Sequence, residues 1–142
     1  MKLEERSKFK VGEAASISHP ISQEEINSYA ELLGDKNPIH INLEYAQTTR
    51  FKNRIAHGMF VAGLISRVLG TKLPGPGGIY LSQELYFKLP VYAGDTLRAQ
   101  AVVTAWDAER GIITLDTIVV NQDSLSVVEG KAKLIMSGFL SD

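Results

Sequence analysis

Seven consecutive residues, Gly34-Asp35-Lys36-Asn37-Pro38-Ile39-His40, place a carboxylate and an imidazole five positions apart across a proline. Gly34 and Pro38 restrict the route of the backbone, so both side chains can be held toward one point. Their unperturbed pKa values differ, at about 3.9 and about 6.5. Such a pair suits proton transfer around one bound water. A plainer arrangement meets the same spacing: Asp35 caps a local turn and His40 packs as a loop side chain.

His57-Gly58 stands where an apolar helix begins. The first N–H groups of a helix lack internal partners and carry partial positive charge. Without a Cβ at Gly58, a ligand oxygen can approach that N–H, which would make an oxyanion site for a carbonyl. The alternative is close helix–sheet packing at Gly58, with His57 as an ordinary first-turn residue. Ser66, eight residues later, is a polar group in an otherwise apolar helix. Its hydroxyl needs a partner, either a loop carboxylate or substrate, or a helix carbonyl. Arg50, Lys52 and Arg54 alternate through one short segment, and Arg67 and Lys72 lie further on. They can meet the phosphates of a nucleotide-bearing ligand or form a solvated surface.

Other chemistries find less support. The chain has no cysteine, which excludes a thiol nucleophile, a thiolate metal site and disulfides. His19, His40 and His57 lack the paired spacing of a metal site, so no metal is expected. Gly75, Gly77 and Gly78 precede a strand without a following Lys-Ser or Lys-Thr, which argues against a phosphate loop. No Gly-x-Ser-x-Gly elbow is present. A formal net charge of -1 gives no general attraction to nucleic acid or to an acidic membrane. The longest apolar stretch, Met59 to Ile65, is far short of the ~20 residues that span a bilayer. Met1 to Lys10 is charged and resembles no targeting segment, so a cytoplasmic protein is expected.

The elements that must position these residues follow from periodicity and punctuation. At 142 residues, 44% hydrophobic and 22% charged, the chain fits one globular domain over 1–142. Ser22 and Glu25 form a capping box flanked by Ile21 and Ile26, predicting a helix over about 23–33 that Gly34 stops. Asp35 to Ile41 reads as a loop, and Asn42 caps a short helix through Ala46. Gly58 to Leu69 is apolar almost all round, which predicts a helix buried on most sides. Phe9 to Ala15 reads as an early strand, Ile79 to Phe87 as a second. Thr96 to Trp106 alternates, with Leu97, Ala99, Ala101, Val103 and Ala105 on one face. Ile112 to Val120 and Leu125 to Met136 follow, joined by short turns that favour antiparallel pairing. The class is α+β, an antiparallel sheet curled around one buried helix.

With these residues in view, the chain resembles the MaoC-like (R)-specific enoyl-CoA hydratases, or hydratase 2 family. The resemblance rests on Gly34 to His40 with Ala46, on Ala56-His57-Gly58-Met59, on the segment 73–81, and on Phe87-Lys88-Leu89-Pro90-Val91 with Gly94-Asp95. It spans roughly residues 10–136. It implies a hot-dog fold, a homodimer or dimer of dimers, and an acyl-thioester tunnel near the subunit interface. It further implies that Asp35 and His40 are the catalytic pair, that Gly58 N–H serves the oxyanion hole, and that Ser66 lies close to the catalytic carboxylate. Gly63 stands where several members carry a larger or polar residue.

The expected reaction is reversible addition of water to a trans-2-enoyl thioester, giving an (R)-3-hydroxyacyl thioester, with no metal or redox cofactor. CoA or an acyl carrier protein enters as the carrier of the substrate. His57, Leu69, Arg50, Lys52 and Arg54 are candidate substrate contacts, and Leu64, Ile65 and Val68 are candidates for the acyl pocket wall. Which of Asp35 and His40 acts as base stays open. The rival functions are a 3-hydroxyacyl-carrier dehydratase, a hot-dog thioesterase, and a non-catalytic acyl-thioester-binding subunit.

Overall fold

The computed structural model describes residues 8–140. The remainder of the charged N-terminal stretch, residues 1–7, lies outside the described residues.

The order along the chain is β1 (Ala14–Pro20), α1 (Gln23–Leu33), α2 (Pro38–Ile41), α3 (Leu43–Gln47), α4 (Gly58–Thr71), β2 (Gly78–Phe87), β3 (Thr96–Asp107), β4 (Ile112–Val120) and β5 (Ser126–Met136). The strands form one antiparallel sheet in the order β1-β3-β4-β5-β2. Helix α4 packs against β1, β2, β3 and β4, so the sheet carries the long helix on its concave side in the hot-dog arrangement. No helix among the described residues is long and apolar enough to cross a membrane.

The capping box forms as its residues dictate. Glu25 N–H donates to Ser22 Oγ, the Ser22 N–H donates to Glu25 Oε1, and Gly34 closes α1 in the left-handed region at φ 77°. Ile21 and Ile26 are both buried in the core.

Four elements differ from the sequence reading. The stretch 35–41 is not all loop: Asn37 accepts from the Ile39 N–H, and Pro38 opens one helical turn that carries His40. Proline suits that first position because its missing N–H has no helical partner to lose. The early strand begins at Ala14 rather than Phe9, and Phe9 instead enters the core with its ring edge-on to Trp106 at 5.0 Å. In β3 the register shifts between Val103 and Ala105. The extra residue turns Ala105 out to solvent and brings Trp106 against the core, ending the alternation that Leu97, Ala99, Ala101 and Val103 obey. Helix α4 is buried on one side only. Val61, Ala62, Leu64, Ile65, Val68 and Leu69 face the core, while Met59 (59% exposed), Gly63, Ser66 and Gly70 form an open stripe.

Candidate active site

The site forms where three segments meet: the bend 34–37 with α2, the segment 55–57, and the start of α4. The bend turns at Gly34, and Asp35 Oδ1 accepts weakly from the Asn37 N–H at 3.4 Å. Helix α2 then carries His40 inward. Gln23 at the head of α1 secures this turn by donating to the His40 carbonyl at 2.8 Å.

The 55–57 segment is stitched on both sides. Ile55 N–H donates to Ile39 O at 3.2 Å, and Ala56 N–H donates to Val91 O at 2.7 Å. The Ile55 carbonyl accepts from His40 Nδ1 at 2.7 Å. A carbonyl can only accept, so Nδ1 bears the proton and Nε2 keeps its lone pair in the neutral ring. His57 obeys the same logic with its other nitrogen: Nε2–H donates to the Asp35 main-chain carbonyl at 2.9 Å. The His40 and His57 rings stack at 3.8 Å between centroids, inclined by 27°. Tyr29 of α1 lies 4.7 Å from the His57 ring. His40 is 9% exposed and His57 only 2%.

Burial holds the His40 pKa below its usual 6.5; the Ile55 carbonyl pushes upward, the His57 ring adds to the lowering, and Asp35 opposes it. Donor atoms of Asp35, His40 and His57 lie within 4.8 Å of one another. This proximity invites a metal reading that ring geometry disfavours. Imidazole lone pairs lie in the ring plane, and zinc binds nitrogen at about 2.0–2.1 Å. Two stacked planes inclined by 27° do not converge on one ion at that range. The arrangement suits a shared water and a mobile proton instead.

A mostly apolar cavity of about 340 Å³ opens beside this cluster. His40, Gly58, Val61 and Phe87 lie in its wall, and Arg50 and Lys88 add positive charge. At the head of α4, the Phe60 and Val61 N–H groups both bond to the His57 carbonyl. The Gly58 N–H belongs to the first turn, which provides no helical acceptor, so it can face the cavity as a donor. A Cβ at Gly58 would sit 2.7 Å from Phe87 Cε1, so glycine is what lets that ring form the wall.

The structure therefore gathers Asp35, His40, His57 and Gly58, with Arg50 nearby. Arg50 is exposed, its guanidinium 4.8 Å from the Phe51 ring centroid. Other candidates lie elsewhere. Ser66 is eight residues beyond Gly58, roughly 12 Å along the helix axis, on the open stripe. Leu69 is 1% exposed and sits with Leu64, Ile65 and Val68 in the core, off the cavity wall. Lys52 is exposed in a turn and Arg54 half-buried, and neither lines the cavity. Lys88, Phe87 and Leu89 do line it. Their segment carries part of the family resemblance, but nothing in its local pattern marks them as contacts.

Comparison with known proteins gives the same picture. The (R)-specific enoyl-CoA hydratase of Rhodospirillum rubrum is 48% identical over 128 residues, 90% of this chain and 88% of that protein. The enzyme of the same name from Aeromonas caviae is 42% identical, covering 87% of this chain and 92% of its own. The solved (R)-hydratase from A. caviae, described as involved in PHA biosynthesis, superposes with a TM-score of 0.87 at 41% identity, covering 90% of this chain and 97% of that one. The family model described as the MaoC like domain matches residues 8–123. The geometry and these matches agree: the chain belongs to the MaoC-like domain family.

Proposed function

We propose that the protein is an (R)-specific enoyl-CoA hydratase, adding water reversibly to a trans-2-enoyl thioester. The observation that carries this reading is the convergence of Asp35 and His40 with the free end of α4 beside an apolar cavity. The enoyl chain occupies the cavity with its thioester carbonyl toward Gly58 N–H. A water sits between His40 Nε2 and the Asp35 carboxylate. As its oxygen bonds to the β-carbon, His40 Nε2 takes one proton, and Asp35 accepts a hydrogen bond from the other. The C=C π electrons move to the thioester oxygen, and Gly58 N–H stabilises the enolate. The Ile55 carbonyl and Asp35 together steady the imidazolium. That ring then returns its proton to the α-carbon on the same face. The step consumes one water and one double bond and leaves the protein unchanged. Only protein groups and water take part, and CoA is the substrate's handle, its phosphates met by Arg50 and Lys88.

The active form we propose is a homodimer. Strand β2 ends the sheet and exposes Ile79, Tyr80, Leu81, Tyr86 and Phe87 along an unpaired edge, a surface that proteins cover. The open stripe of α4 is a second uncovered surface, and nothing lies within 4 Å of where Gly63 or Gly70 would carry a Cβ. A second copy seated there would bury both features and shelter the exposed Asp35 side.

Crotonyl-CoA hydration, followed by loss of enoyl absorbance with chiral analysis of the product, tests the reaction. Turnover to the (R)-alcohol, abolished in Asp35→Asn, supports it. Release of free thiol in place of hydration would reveal a thioesterase, and neither product a binding subunit.

A further inference from the structure

His57 occupies the N-cap of α4, yet its side chain makes no capping bond. Serine, asparagine or aspartate would serve that position better. The imidazole instead turns back to the Asp35 carbonyl through Nε2–H and lies flat against His40. Its ring is almost wholly buried, with Tyr29 on the α1 side. The bend it reaches is exposed from Gly34 to Pro38, and the bond to the Asp35 carboxylate within it is long, 3.4 Å from the Asn37 N–H to Asp35 Oδ1. The 2.9 Å bond from a buried ring thus ties the backbone of this exposed acid to the core.

We infer that His57 is a positioning residue, holding the Asp35 backbone by its Nε2–H while its ring backs His40, so that one buried side chain orients both members of the pair. The consequence for rate rests on the proposed hydratase reading; the clamp itself does not. His40 is faced by Asp35 from the bend, by His57 from the head of α4, and across the cavity by Arg50 and Lys88, with Tyr29 behind His57. Replacing the stacked imidazole by a side chain that cannot charge removes one of the effects that hold His40 down.

His57→Gln and His57→Leu test the clamp. Glutamine carries an amide nitrogen to about where Nε2 stood, and leucine fills space without a donor. Three measurements are made on each: crotonyl-CoA kinetics, hydrogen exchange of the amides at 35–37, and an NMR pH titration of the His40 ring. In His57→Leu, kcat falls roughly 10- to 100-fold with KM within about threefold, because a displaced acid costs the chemical step more than binding. Exchange at 35–37 quickens about tenfold as the tie is lost. His57→Gln recovers most of the rate and the protection, while its His40 titrates at higher pH and the acid limb of kcat/KM moves up with it. A purely space-filling His57 predicts otherwise: glutamine no better than leucine, with exchange at 35–37 unmoved. That result overturns the inference. Should His57→Leu fail to fold, a His57→Gln variant with wild-type exchange at 35–37 supports the clamp, and faster exchange there refutes it. A wild-type protein inert toward enoyl thioesters would refute the hydratase reading alone, since exchange still decides the clamp.

Discussion

Replacing His40 by asparagine and by leucine separates the two tasks of its ring. Nδ1–H satisfies the Ile55 carbonyl at 2.7 Å in a setting where His40 is nearly buried, and Nε2 presents the lone pair that takes the proton. The amide nitrogen of asparagine falls close to the Nδ1 position, so His40→Asn keeps the anchor and removes the base. His40→Leu removes both and leaves a carbonyl without its donor. An orphaned buried acceptor costs about 1–3 kcal/mol. For a chain of 142 residues that corresponds to a fall in Tm of roughly 2–12 °C, at about 2–4 °C per kcal/mol. Losing a positioned general base costs about 10²- to 10⁴-fold in rate, so both variants lose crotonyl-CoA hydration alike. Thermal melts followed by circular dichroism, with the absorbance assay on the same preparations, give the two readouts. An asparagine variant keeping more than about a tenth of wild-type kcat would refute Nε2 as the base. A leucine variant as stable as the asparagine variant would refute the Ile55 anchor.

Three further outcomes are expected. Because the folded-state pKa of His40 lies below 6.5, the unfolded chain binds a proton that the folded chain refuses. Stability is therefore full above pH 6.5, falls as pH drops from there toward the folded-state value, and then levels; urea titrations show a shallower fall in His40→Asn. Gly130→Ala, opposite Leu85 in the β2–β5 ladder, would drive a Cβ into the Glu84 main-chain carbonyl, and backbone cannot yield as a side chain can. Chemical denaturation should show a loss of about 3 kcal/mol or more, and a near-neutral result would refute the register drawn there. Arg50→Ala and Lys88→Ala raise KM for crotonyl-CoA more than for crotonyl-pantetheine, since only the former carries nucleotide phosphates; equal effects on both substrates would remove these cations from the CoA site.

The local features were readable because their physics is local. Ser22, Glu25 and Gly34 specify α1 through bonds and dihedrals within a few residues of each end, and the helix runs where they predict. Asp35, Pro38 and His40 lie on one short bend, so their nearness is legible from local spacing, while the bonds that orient them come from distant residues. The solvent-facing turn of Ala105 was hidden because a bulge forms between strands, and its cost and benefit lie in the partner β4. The open stripe of α4 is only faintly marked in the sequence, by the small or polar Gly63, Ser66, Arg67 and Gly70 at helical spacing, so an almost uniformly apolar helix leaves the depth of burial on each side to the sheet.

Residue types and short spacings thus established the antiparallel α+β class, the capped first helix and the acid–imidazole bend. The packed chain settled which long-range neighbours meet. His57 reaches Asp35 across 22 residues, His40 finds the Ile55 carbonyl 15 residues away, and Lys88 and Phe87 arrive at the cavity from the end of another strand. Leu69 goes to the core and Ser66 to the open stripe for the same reason. A 3.6-residue period divides the faces of a helix, but the sheet laid against it determines which face becomes core and which end borders the cavity.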